Sequence, residues 1–149
     1  MNAPDLSAGP PRRWNVAVEG IIWLPRMIDK ARAYAAGTLG AYLFGQSPVD
    51  DALLKRIGLS YRDVIAIAAA QPDDAAVLAA IEARVPGATV RLQRWSASLA
   101  RTQRAFLAAI DWDDGYTGRG PLSRLARRSL RPAVDAAMAL LKTLRPVSR

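Results

Sequence analysis

Apolar residues recur at helical spacing along almost the whole chain, and capping residues and breakers cut these runs into helix-length pieces. Pro25 suits the first turn of a helix through Ala36, because a first-turn proline forfeits no intrahelical bond, and Gly37 supplies a left-handed stop. Ser47-Pro48 opens a second helix that ends at Gly58. Ser60 followed by Asp63 forms a capping-box pattern for a third, which must end before Pro72. Asp73 caps a fourth through Val85, ahead of Pro86-Gly87. No period-2 strand is convincing; Thr38–Phe44 is the one doubtful stretch, and its glycines favour a loop. The reading is an all-α, single-domain bundle of about five core helices. A chain of 149 residues is long enough to bury a core of its own.

A fifth helix, from Thr89 to Ile110, is expected to be the longest. On a helical wheel Leu92, Trp95, Leu99, Phe106 and Ile110 share one sector, and Arg91, Arg94, Arg101 and Arg104 lie opposite. Gly115–Pro121 reads as a hinge. Beyond it Leu122, Leu125, Ala126 and Leu130 share a face opposite Arg124, Arg127, Arg128 and Arg131. Pro132 then starts a last helix with Val134, Ala137, Met138, Leu141 and Leu144 on its apolar face. The organisation expected is a flexible Pro-rich lead at 1–15, a helical core at 16–117 and a basic helical tail at 118–149. Docking on the core would bury both tail stripes, since helices this short are unstable alone.

Charge divides the chain unevenly. Residues 1–82 hold eight cations and nine acids, whereas residues 83–149 hold thirteen cations and four acids. Such asymmetry points to a surface that meets an acidic partner, nucleic acid or an anionic membrane. A competing explanation is an Arg- and Ala-favouring proteome: three of the 21 cations are lysines, and alanine is abundant. An acidic protein partner fits best, because stacking aromatics are missing from the tail and its helix is short of apolar bulk for a membrane. The absence of a signal-like leader and of any long apolar span predicts a cytoplasmic protein.

The chain has no cysteine and no histidine, so thiol chemistry and the usual neutral-pH acid–base group are excluded. No cofactor, metal site or catalytic motif is expected. Gly115–Gly120 lacks the strand and Gly-Lys-Ser/Thr of a phosphate loop. The best constellation is Arg26, Asp29, Lys30 and Arg32. The first three sit at i, i+3 and i+4, so their heads are expected to meet on one helix face. Asp29 between cations suits an orienting group rather than a general acid. One reading is a pocket for a small anionic ligand, bound or acted on by a histidine-free enzyme, closed by the Gly37–Tyr42 loop with Trp23 or Tyr42 as a wall. The other is a structural ion-pair ladder pinning this helix to a neighbour. Asp50-Asp51 reads as helix capping, and Asp111, Asp113 and Asp114 as partners for the arginine-rich tail.

The segment from Gly20 to Tyr42, with Arg26-Met27-Ile28-Asp29-Lys30-Ala31-Arg32, Gly37-Thr38-Leu39 and Tyr42, is more specific than periodicity requires. It resembles the bacterial domain-of-unknown-function family 5069. Val49-Asp50, Ile57-Gly58-Leu59 and Trp95 fall where that pattern continues, so the resemblance covers roughly residues 18–112. The chain departs from it at Pro72-Asp73-Asp74-Ala75, where members often show Thr-Asp-Glu-Glu, and the basic tail after Gly115 reads as an addition. The resemblance implies a helical bacterial domain and carries no function.

Overall fold

The computed structural model of the chain describes residues 3–117, together with 125, 128–130, 132 and 136. Among these residues the order is β1 (Ala17–Val18), β2 (Ile21–Ile22), α1 (Leu24–Ala36), α2 (Pro48–Ile57), α3 (Tyr61–Ala70), α4 (Asp74–Arg84), α5 (Ala88–Thr102) and α6 (Arg104–Asp113). The mostly helical reading is correct. The four N-terminal helices begin and end where the caps place them. Ser47 and Asp73 accept N–H bonds from Asp50 and Ala76, Ser60 and Asp63 cap reciprocally, and Gly37 and Gly58 take left-handed C-cap positions.

The sequence reading misses one hairpin. β1 and β2 pair antiparallel, Ala17 opposite Ile22 and Val18 opposite Ile21. Glu19 and Gly20 both have positive φ, 47° and 77°, which is the tight-hairpin geometry whose twist matches the strands it joins. Two-residue strands are too short to show a period-2 pattern.

The long fifth helix is also revised. It breaks at Gln103, whose φ of −113° and ψ of 27° end α5 and start α6. The break re-aims the apolar face. Leu107 and Asp111, one helical turn apart, turn inward, and Phe106, expected in the core, is 39% exposed.

α1 is the central element. Leu24, Met27, Ile28 and Ala31 are fully buried, and α1 packs chiefly on α3, while α5 lies against α2, α4 and β2. Leu53, Val64, Val77, Leu78, Ile81 and Leu92 complete one continuous core. The described part of the N-terminal lead is seated on this core rather than loose. Leu6 and Pro11 are buried, Leu6 donates its N–H to Thr38 O, and Tyr116 donates to Pro11 O. In the tail, Leu125 and Leu130 are exposed, and Arg128 is exposed with them. Leu122, Ala126, Arg124, Arg127, Arg131 and the final apolar stripe lie outside the described residues.

Gly40 tests the seating of the lead. It has a φ of 61°, and a Cβ there would stand 2.8 Å from Leu6 O and 3.0 Å from Ser7 Cα. Gly40→Ala therefore destabilises by about 2 kcal/mol in urea denaturation, from strain and backbone collision together. Gly9→Ala, which meets nothing within 4 Å, stays within about 0.5 kcal/mol of the parent. Equal stability of the two variants would contradict the packed lead.

Candidate functional site

A helix buried on most faces is normally apolar on most faces. α1 breaks that expectation, because Arg26, Asp29 and Lys30 are 4%, 8% and 3% exposed. Burying a charge costs several kcal/mol unless it is paired and hydrogen-bonded, so each of the three needs a dedicated partner. The structure supplies them from three different parts of the chain. The heads do not meet one another as i, i+3, i+4 spacing suggested: no ion pair forms between Asp29 and either Arg26 or Lys30. Each side chain instead has its own counter-ion, although Arg26 and Lys30 both stand against the Trp23 ring.

Lys30 reaches α2. Its ammonium pairs with Asp50 Oδ2 and donates to Leu43 O at 3.3 Å. The other oxygen of Asp50 accepts the Trp23 indole N–H at 2.7 Å. Asp50 is thus a fully buried counter-ion as well as a first-turn residue, a role that reading it as a cap missed. Burial pushes the Lys30 ammonium below the usual lysine range, opposed by the Asp50 charge and hydrogen bond. Trp23 holds a φ of 69°, which is costly for a bulky residue. Its indole bond to Asp50 and its backbone bond to Trp14 O fix it there.

Arg26 points toward the end of α6. Its Nη1 donates to Asp114 Oδ2 at 2.7 Å and to Arg12 O at 3.2 Å, while Tyr42 donates to Asp114 Oδ1 at 3.1 Å. The guanidinium carbon lies 5.4 Å from the Trp23 ring centroid and 5.8 Å from that of Tyr42. Trp23 and Tyr42 thus stand against the guanidinium of an internal ion pair. Asp29 faces a third way, toward Arg12, which grips it with its backbone N–H, Nε and Nη2. Arg12 also holds both oxygens of Asp74 and donates to Pro25 O. Burial opposes the Arg12 charge, but the bonds to Asp74 and Asp29 outweigh it and hold the group above the usual arginine range. Arg32 donates to Ala68 O and Gln71 O, capping the C-terminal carbonyls of α3.

The acidic cluster at 111–114 does not await the tail arginines alone. Arg13 forks onto Asp111 at 2.8 and 2.5 Å, and Asp114 belongs to Arg26 and Tyr42. The Arg13–Asp111 and Arg26–Asp114 pairings span 98 and 88 residues, so no local pattern announces them. The cations of the proposed anion pocket thus carry counter-ions from within the chain, and this arrangement favours the structural reading of the cluster.

The basic face of the α5–α6 region is arranged differently. Arg91, Arg94, Arg101 and Arg104 are exposed, and among the described residues no carboxylate lies within 4.0 Å of any of them. Arg91 donates to the carbonyls of Arg56 and Pro86, and its charge adds to the Thr89 and Gly87 bonds that hold the Glu82 carboxyl below its ordinary value. No described helix is long and apolar enough to cross a membrane.

The family model described as Domain of unknown function (DUF5069) matches residues 8–134. The chain belongs to this family. The DUF5069 match takes in the seated lead from residue 8, with Arg12 and Arg13, and Asp50, Asp111 and Asp114. It also runs beyond Gly115 to residue 134, so that part of the basic segment is family sequence and not an addition. Among curated proteins, none matches the chain.

Two outcomes test this site. Lys30→Met leaves Asp50 as an unpaired buried charge and destabilises by about 3–5 kcal/mol in urea denaturation, whereas Lys30→Met with Asp50→Leu recovers part of the loss. A double variant no more stable than the single would contradict the pairing. For Asp111, the bond from Arg13 holds the carboxyl below its ordinary value against the effect of burial. Its stabilisation is therefore complete above about pH 5 and declines as pH falls through about 4 toward the folded-state pKa. Asp111→Asn lowers stability at pH 7 and flattens this acid limb; an unchanged slope would refute the assignment.

Proposed function

We propose that the protein is a non-catalytic interaction domain that docks an acidic protein surface on the outer face of α5 and the start of α6. The observation that carries this reading is the contrast between two sets of arginines. Arg12, Arg13 and Arg26 are committed to Asp29, Asp74, Asp111 and Asp114. Arg91, Arg94, Arg101 and Arg104 have no such commitment among the described residues. Val90, Arg94, Ala97 and Arg101 recur at steps of four, three and four along the exposed side of α5, so the arginines stand beside small or apolar neighbours. Val90 is 49% exposed and offers apolar contact among the charges. A row of planar guanidinium groups suits carboxylates, which each can bind with two parallel hydrogen bonds. The small-anion alternative at Arg26, Asp29 and Lys30 has less support, because its cations are paired internally.

Titration of the full chain with a glutamate-rich peptide tests the proposal. Arg94→Glu with Arg101→Glu weakens binding at least about tenfold, and 0.5 M salt weakens the parent interaction comparably. Unchanged affinity in the variant would overturn it. Preference for duplex DNA over the peptide, with a steep salt dependence, would move the same surface to nucleic-acid binding.

A further inference from the structure

A cleft of about 760 Å³ lies between the last turn of α1, the loop at 44–45, α2 and the start of α3, away from the charged network of α1. Its size is within the range of small-molecule sites, and such sites combine apolar and aromatic walls with a few fixed polar groups. Both features are present. Phe44, Leu54 and Leu59 are 6%, 4% and 9% exposed and form the apolar lining. Tyr34 and Tyr61 flank Phe44, with ring centroids at 5.8 Å and 4.9 Å, the second pair edge to face. Three rings therefore line one side of the cleft.

The fixed polar group is Asp51. Its Oδ1 accepts the Tyr61 hydroxyl at 2.6 Å. Among the described residues nothing bonds its Oδ2, and no cation stands within 4.0 Å of the carboxylate. It differs in this from Asp29, Asp50, Asp74, Asp111 and Asp114, each of which has an arginine or lysine. The Tyr61 bond anchors the carboxylate at the cleft wall, so the group is ordered before any ligand arrives and binding is spared that entropy cost.

We propose that this cleft binds a small amine with an aromatic or apolar body, the ring lodged against Phe44 and Tyr34 and the ammonium on Asp51. A positive group is favoured twice, by the unpaired carboxylate and by the negative faces of the rings. An anion would meet both with the wrong sign. Arg62 also lines the cleft, but it is exposed, where solvent and salt screen its repulsion of an ammonium group. The site is separate from the α5 surface, and each can stand without the other.

Phenethylamine, 2-phenylethanol and 3-phenylpropionate share one ring and chain and differ in head group. Titrated into the full chain and followed by NMR, phenethylamine binds saturably, with shifts at Phe44, Asp51 and Tyr61. It binds at least about tenfold more tightly than the alcohol or the acid. Asp51→Asn removes that preference. The Arg94→Glu, Arg101→Glu variant binds the amine as the parent does. Tightest binding by the acid would assign the cleft to Arg62 and overturn the proposal. Equal binding of amine and alcohol, or none of any probe, would overturn it as well. The comparison of probes on the parent chain decides the matter even if Asp51→Asn fails to fold.

Discussion

The buried charges of α1 organise the rest of the structure. A helix that puts an arginine, an aspartate and a lysine into the interior is tolerated only if counter-ions are brought to each. The chain brings Asp50 from α2, Asp114 from the end of α6, and Arg12 from the N-terminal lead. Three distant segments are thereby tied to one helix. The positive φ of Trp23, the seating of residues 3–15 and the break at Gln103 all serve this arrangement. Trp23 must turn its indole toward Asp50, the lead must deliver Arg12 and Arg13, and α6 must turn Asp111 inward. Removing one partner of such a pair is costly, because it leaves the other charge buried and uncompensated.

The same economy explains the outer surface. Carboxylates from both halves are drawn into the interior network, including Asp111 and Asp114 from the otherwise basic half. The arginines of α5 are then left facing solvent with no carboxylate within 4.0 Å among the described residues. The electrostatic face is a consequence of where the acids are used as much as of how many arginines there are.

Helix ends were legible in the sequence because they are local. Ser47, Ser60, Asp73, Gly37 and Gly58 act through bonds within a few residues, and each does what its type predicts. The importance of Arg26, Asp29 and Lys30 was also visible, since charged residues there interrupt an apolar helix and carry the family resemblance. Their partners were not visible. Asp50 sits in a first turn, where an acid needs no further explanation, and Asp114 lies 88 residues from Arg26. The Gln103 break was hidden because Phe106, not Leu107, continues the wheel of Leu92, Trp95 and Leu99, and because the Arg13–Asp111 bond that the new direction permits joins residues 98 apart.

Arginine side-chain NMR on the full chain, during titration with a glutamate-rich peptide, tests the central division most directly. The account predicts resolved, slowly exchanging Nε–H signals for Arg12, Arg13, Arg26 and Arg32, unmoved by the peptide. It predicts averaged signals for Arg94, Arg101 and Arg104 that shift as the peptide binds. Solvent-averaged signals from Arg12 and Arg26, or peptide shifts at Arg26 with none on α5, would contradict it.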